Sequence, residues 1–139
     1  MTISVFVAES VRARAAGRCE YCCMHQSLQA ATFHIEHVRP LALGGQSSIE
    51  NLALACPSCN LHKADRVSAI DPATGVSAPL FNPREHRWSE HFTWHAAAVA
   101  GITAIGRATV HALQLNHPRR LKVREAEARF GLFPLKSQQ

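Results

Sequence analysis

"FHIEHVRPLALGGQSSIENLALACPSCNLHKAD", residues 33–65, decides how this chain is read. It brings together His34, His37 and His62, a glutamate (Glu36) beside one of them, Asn51 and Asn60, the Gly44–Gly45 pair and a Cys56-x-x-Cys59 unit. The apolar, β-branched run "ATFHIEHV" (31–38) predicts a strand, and Pro40 closes it because proline restricts the residue before it and lacks an N–H. "LALGGQSSIEN" (41–51) has the chemistry of a loop, with Gly44 and Gly45 free to take positive φ. "LALAC" (52–56) reads as a second short strand or extended piece, and "PSCNLHKADRV" (57–67) as the opening of a helix. The expectation is a strand–loop–strand–helix unit.

Working outward, the cysteines come next. The chain has five, at 19, 22, 23, 56 and 59. An odd number in two clusters is a poor disulfide framework, whereas two Cys-x-x-Cys units suit a zinc ion in a reducing compartment. The i, i+3 spacing lets Cys19 and Cys22 meet one ion in a tight turn, and Cys56 and Cys59 complete a tetrahedron. Four thiolates leave no position for a substrate, so this zinc is read as structural, with a folding contribution on the order of 10 kcal/mol. Cys23 is the spare, read as a small buried apolar residue.

A structural zinc does not by itself call for "IEH" on a strand facing "CNLHK" at a helix start. Phosphodiester hydrolysis needs a group that takes a proton from water, a cation that neutralises charge, and something that fixes the geometry. Histidine suits the first task near neutral pH, and His37 is the candidate base. Glu36, its neighbour, points to the opposite side of an ideal strand. The distortion that Pro40 brings to the strand end would let both reach one site.

"IEHVRPLALGGQSSIENLALACPSCNLHKAD", flanked upstream by "CEYC" (19–22), resembles an HNH endonuclease of the ββα-metal class with a four-cysteine zinc site. His37 stands for the first letter, Asn51 for the second, and Asn60 or His62 for the third; the resemblance covers roughly residues 19–65. It implies that His37 is the general base and that Asn51 hydrogen-bonds across the loop, holding the histidine segment in register. It implies that Glu36 is the acidic metal ligand, where aspartate is usual, and that Asn60 is the second ligand. His62, about 200° around a helix from Asn60, would touch the phosphate, or act as the ligand if the helix begins late. Lys63, one turn from Asn60, suits a phosphate contact. Oxygen ligands favour Mg²⁺ or Mn²⁺; an imidazole ligand would widen the range to Ni²⁺, Co²⁺ or Zn²⁺. The implied partner is nucleic acid, DNA first. The competing reading is a zinc-stabilised nucleic-acid-binding module without cleavage activity.

The remainder of the chain is consistent with this frame. With 139 residues and a formal charge of +5, it suits one domain and tolerates a polyanionic partner without proving one. No apolar run approaches the 18 or so residues of a membrane span, and the start shows no signal-peptide pattern; a cytoplasmic protein with no membrane partner is expected. Residues 4–16 predict a helix packing through Val5, Ala8, Val11 and Ala15, stopped at Gly17. The Pro/Gly/Asn-rich stretch 71–88 predicts an ordered loop or a tight hairpin with "HFTW" (91–94) as its outgoing strand. Helices follow over 102–116 and, after His117-Pro118, over 119–131; the tail "KSQQ" (136–139) is expected to fray. His86, His91 and His95 stand among Trp88 and Trp94, read as a strand packed on the zinc module in preference to an extra metal site or nucleic-acid contacts. Arg107, Arg119 and Arg120 fit a DNA path and a solvated helix face equally well. The fold class expected is α+β: a single domain with a ββα-metal core (19–65), an N-terminal helix (1–18), and an extension (66–139) of one strand and two helices.

Overall fold

A computed structural model describes residues 3–133; the expected fraying of 136–139 lies outside them. The first element, α1 (Val5–Ala15), starts at Ser4, whose Oγ accepts the Val7 N–H at 3.1 Å, and stops where Ala16 and Gly17 both turn to positive φ. Its attachment differs from the expected apolar stripe. Val11 is buried, but Val5 and Phe6 are exposed. Val7 and the expected Ala15 pack part-buried against the core, and two arginines add to this: Arg12 donates to Phe33 O, and Arg14 donates to Ile49 O at 2.8 Å and Leu52 O at 2.5 Å.

The central unit follows the sequence expectation. Strand β1 (His34–His37) pairs antiparallel with β2 (Leu52–Ala55), with His37 opposite Leu52 and Glu36 opposite Ala53. All four residues of β2 are buried, which explains its unbroken apolar sequence. Helix α2 (Pro57–Lys63) begins at Cys56, whose sulfur accepts the Cys59 N–H, with Pro57 in the first helical position. It closes at Ala64, shorter than the run to Val67 suggested. Of the two loop glycines, Gly44 has φ +86°, as expected. Gly45 serves another purpose: a Cβ there would lie 1.7 Å from Arg39 O.

The C-terminal half carries more strand than the single one expected. β3 (Ser68–Ile70) pairs with β4 (Ser77–Pro79), and β5 (Phe92–His95) pairs with β6 (Ala98–Gly101). "HFTW" is therefore not the return strand of the hairpin begun near residue 70; "SAP" is, and "HFTW" opens its own hairpin. The short, alanine-rich partners carry little β-propensity, and tertiary contacts impose their conformation. Asp71 organises the first hairpin's turn: its carboxylate accepts the Ala73 N–H and the Thr74 hydroxyl, and receives Nε and Nη2 of Arg107 at 3.0 and 2.9 Å. The Arg107 hydrogen bonds hold the Asp71 carboxyl at about 2. Arg107 is thereby a clamp from α3 (Ala104–Ala112) onto the hairpin, a structural role beside the DNA path and the solvated helix face that the sequence left open.

Helix α4 (Pro118–Arg129) begins at His117, whose ring accepts the Arg119 N–H. The aromatic stretch packs on the zinc module as expected: Trp88 Nε1 donates to Tyr21 O at 3.0 Å, and the Trp88 ring lies 4.8 Å from Phe92 and 4.9 Å from Trp94. Among the described residues, four helices and three antiparallel strand pairs make an α+β fold. One buried cluster draws on Val11, Phe33, Leu52, Leu54, Phe81, Trp88, Phe92, Val99, Leu113 and Leu115. No helix among the described residues is long and apolar enough to cross a membrane.

Helix α3 can sit on the second hairpin only because Gly106 lacks a side chain: a Cβ there would approach His91 O to 2.0 Å. Gly106→Ala is expected to destabilise the fold by about 1–3 kcal/mol, read as a lower urea midpoint with unchanged denaturant slope.

Candidate functional site

Four sulfurs form the first centre. The ligand atoms of Cys19, Cys22, Cys56 and Cys59 all lie within 4.8 Å of one another, all four residues are buried, and Cys22 Sγ is 3.8 Å from Cys56 Sγ. A tetrahedral ion with Zn–S of about 2.3 Å requires sulfurs about 3.8 Å apart, so the donor set and its dimensions fit zinc. Against burial, which raises it, hydrogen bonds from Cys19, Cys56 and Cys59 and the charge of Arg120 hold the Cys22 thiol well below its ordinary value. Cys23 is buried but outside the cluster, and burial pushes its thiol up, as suits an inert core residue.

The second centre is a cleft of about 380 Å³ whose lining includes Glu36, His37 and Asn60, together with His34, Leu41 and Asp65. Strand β1 contributes Glu36 and His37 from opposite faces at its end, and α2 contributes Asn60. His37 Nε2 lies 2.8 Å from Ser47 Oγ. Burial and the Lys63 charge lower its pKa, which keeps the ring neutral near pH 7. Asn51 closes the loop that follows: its Oδ1 accepts the Arg39 N–H at 2.9 Å, and its Nδ2 donates to Arg39 O at 2.9 Å and Gln46 O at 2.8 Å. Gly45, with no room for a Cβ, lets this staple close.

Glu36 is almost wholly buried and is held at both oxygens. Tyr21 Oη donates to Oε1, and Lys63 Nζ donates to Oε2 at 3.2 Å. Burial raises its pKa, opposed by the Lys63 charge and the Tyr21 hydrogen bond. Each carboxylate oxygen has about two lone-pair positions, so one on each remains for a cation. Asn60 lines the same cleft, and a carboxylate with an amide is a pair of oxygen donors of the kind a hard divalent ion accepts.

Two expectations are changed by the packing. Lys63 is not an exposed phosphate contact. It is 2% exposed, and besides Glu36 its ammonium donates to His37 O at 3.3 Å and Val38 O at 2.9 Å, which uses its three donors. His62 does not line the cleft; its Nδ1 lies 2.8 Å from Ser58 O on its own helix. Of the two candidates for the third position, the cleft therefore contains Asn60.

Three participants escaped the sequence reading. Tyr21 sits between the first two cysteines, a position that hinted at the zinc site and not at Glu36. Ser47 lies ten residues after His37 in a loop with no periodicity to place it. Arg120, read as a DNA contact or solvated residue, is 5% exposed, and its Nη2 donates to Cys59 Sγ at 2.9 Å and Cys56 Sγ at 3.6 Å.

Compared with known families, residues 19–66 match the family described as HNH endonuclease. No curated protein and no solved structure matches the chain.

The protein should bind one zinc ion per chain by elemental analysis, and stripping it with a strong chelator should abolish the cooperative thermal transition, since the ion's contribution is on the order of 10 kcal/mol against a total stability of about 5–15 kcal/mol. Asn51→Asp turns a double donor into an acceptor facing two carbonyls; a loss of about 1–3 kcal/mol is expected by chemical unfolding.

Proposed function

We propose that residues 19–66 form the catalytic core of a metal-dependent endonuclease that hydrolyses phosphodiester bonds in DNA. The observation that carries this reading is the cleft that Glu36, His37 and Asn60 line together, separate from the closed four-sulfur site. A closed zinc site suffices for a scaffold; a neutral histidine next to a hard-cation donor set is what hydrolysis needs in addition.

The chain's own residues account for the rest of the chemistry. In the tautomer whose Nε2–H donates to Ser47 Oγ, the nitrogen of His37 that accepts a proton is Nδ1. His37 takes a proton from water as the water oxygen bonds to phosphorus; the bond to the 3′-oxygen breaks and that oxygen takes up a proton from solvent, leaving 5′-phosphate and 3′-hydroxyl ends. Asn51 keeps the segment bearing His37 in register through its bonds to Arg39. Lys63 holds the carbonyls of His37 and Val38, which orients the strand end. Glu36 and Asn60 would hold a divalent ion, Mg²⁺ or Mn²⁺ by their oxygen chemistry, supplying charge neutralisation at the phosphate and the departing oxygen. Tyr21 fixes the carboxylate's orientation from the zinc knuckle.

One observation favours a second reading. The Lys63 ammonium already neutralises Glu36, an arrangement that a nucleic-acid-binding module without cleavage could retain for stability alone.

Supercoiled plasmid separates the two. Zinc-loaded protein is expected to nick it with Mg²⁺ or Mn²⁺ and not with EDTA, and His37→Ala should lower the rate about 10²–10⁴-fold with the fold intact. Binding of plasmid without cutting under any divalent ion would establish the second reading instead. Tyr21→Phe should raise the metal concentration needed for half-maximal rate more than it lowers the saturated rate, because it loosens Glu36 and leaves His37 in place.

A further inference from the structure

Helix α4 lies outside the residues that match the family, yet it reaches the zinc site. Arg120 is 61 residues along the chain from Cys59 and donates to its sulfur at 2.9 Å. The same Nη2 is 3.6 Å from Cys56 Sγ. Nη1 is anchored on Leu113 O at 2.8 Å, so the guanidinium is held in orientation by the segment that joins α3 to α4. Its Nε is buried with no hydrogen-bond partner, leaving attraction to the sulfurs as its compensation. Arg124, one turn further on, is directed elsewhere: it donates to Ala97 O and Leu115 O, and lies 5.5 Å from the centre of the Trp94 ring. Among the described residues, Arg120 is the one charged side chain hydrogen-bonded to these sulfurs.

Zinc with four thiolates carries a formal charge of about −2, and burying such a charge unpaired is costly. We infer that Arg120 is an outer-sphere positioning residue of the zinc centre: its guanidinium, presented by the C-terminal extension, offsets part of the thiolate charge, so zinc retention in the HNH core depends on α4. The extension is then part of the metal site as well as a cover over the hydrophobic core. An N–H bond to a thiolate also lowers the energy of the sulfur lone pair, which makes Cys59 a poorer nucleophile and harder to protonate off the metal. This inference rests on the four-sulfur site alone and stands apart from the nuclease reading.

The test is competition for zinc between a chromogenic chelator and the full-length protein, comparing wild type, Arg120→Met, Arg120→Lys and, as a surface control on the same helix, Arg119→Met. Arg120→Met keeps the length and apolar stem of the side chain and removes its charge. Its zinc dissociation constant should rise about 10–100-fold, Arg120→Lys should recover part of that loss, and Arg119→Met should match wild type. Replacing zinc with Co²⁺ adds a readout independent of folding stability: the sulfur-to-cobalt charge-transfer band should move to lower energy in Arg120→Met, and less in Arg120→Lys. If Arg120→Met does not fold, Arg120→Lys carries the decision through the same two measurements, since it keeps the charge and alters the hydrogen bonds to sulfur. Wild-type zinc affinity together with an unmoved cobalt band in the folded variants would overturn the inference and leave Arg120 as a packing residue.

Discussion

The four-sulfur cluster joins two distant parts of the chain, the knuckle at 19–22 and the start of α2 at 56–59, where Glu20 also pairs with Leu54 of β2. Much of the structure depends on that junction. Cys56 also caps α2, which presents Asn60 to the cleft and Lys63 to the interior. Tyr21 is suspended between Cys19 and Cys22, so the knuckle's conformation decides whether its hydroxyl meets Glu36. Trp88 then docks on Tyr21 O and brings the second half of the chain with it. An ion contributing on the order of 10 kcal/mol is comparable to the whole stability of a domain this size, so the scaffold and the cleft are expected to share its fate.

A second constraint is the unusual amount of charge inside. Glu36, Lys63, Asp71, Arg120, Arg124 and Glu127 are all buried. Burying such groups is tolerable only where each finds partners. Lys63 meets one carboxylate oxygen and two carbonyls; Asp71 meets the Arg107 fork; Glu127 accepts the His25 N–H; Arg120 meets two sulfurs and a carbonyl. These pairings cross between elements and tie the extension to the core. They also remove Lys63 and Arg120 from the set of cations available to a polyanion. The formal charge of the chain thus overstates what its surface offers to nucleic acid.

The central unit was legible because each of its signals is local. The β-branched run before Pro40, the two glycines, the apolar "LALA" and the Cys-Pro start of α2 each specify conformation over a few residues, and all agree. His37, Asn51 and the cysteines were legible for a related reason: their chemistry is tied to spacing within that unit. The C-terminal half was less so. "SAP" and "AVAG" become strands because their neighbours require it, and α1 adds Arg12 and Arg14 to the Val11 and Ala15 contacts of its apolar face while leaving Val5 exposed.

By itself, the sequence determined the zinc donor set, the order of strand, loop, strand and helix, and the candidate base, since thiolate spacing and backbone preference act over short stretches of chain. Only the tertiary structure decided which charged side chains face solvent and which face one another. That choice turned Lys63 and Arg120 from surface cations into buried partners of Glu36 and of the cysteine sulfurs. The physical reason is that the fate of a long charged side chain depends on what lies at its tip, and here each tip meets a group distant in sequence.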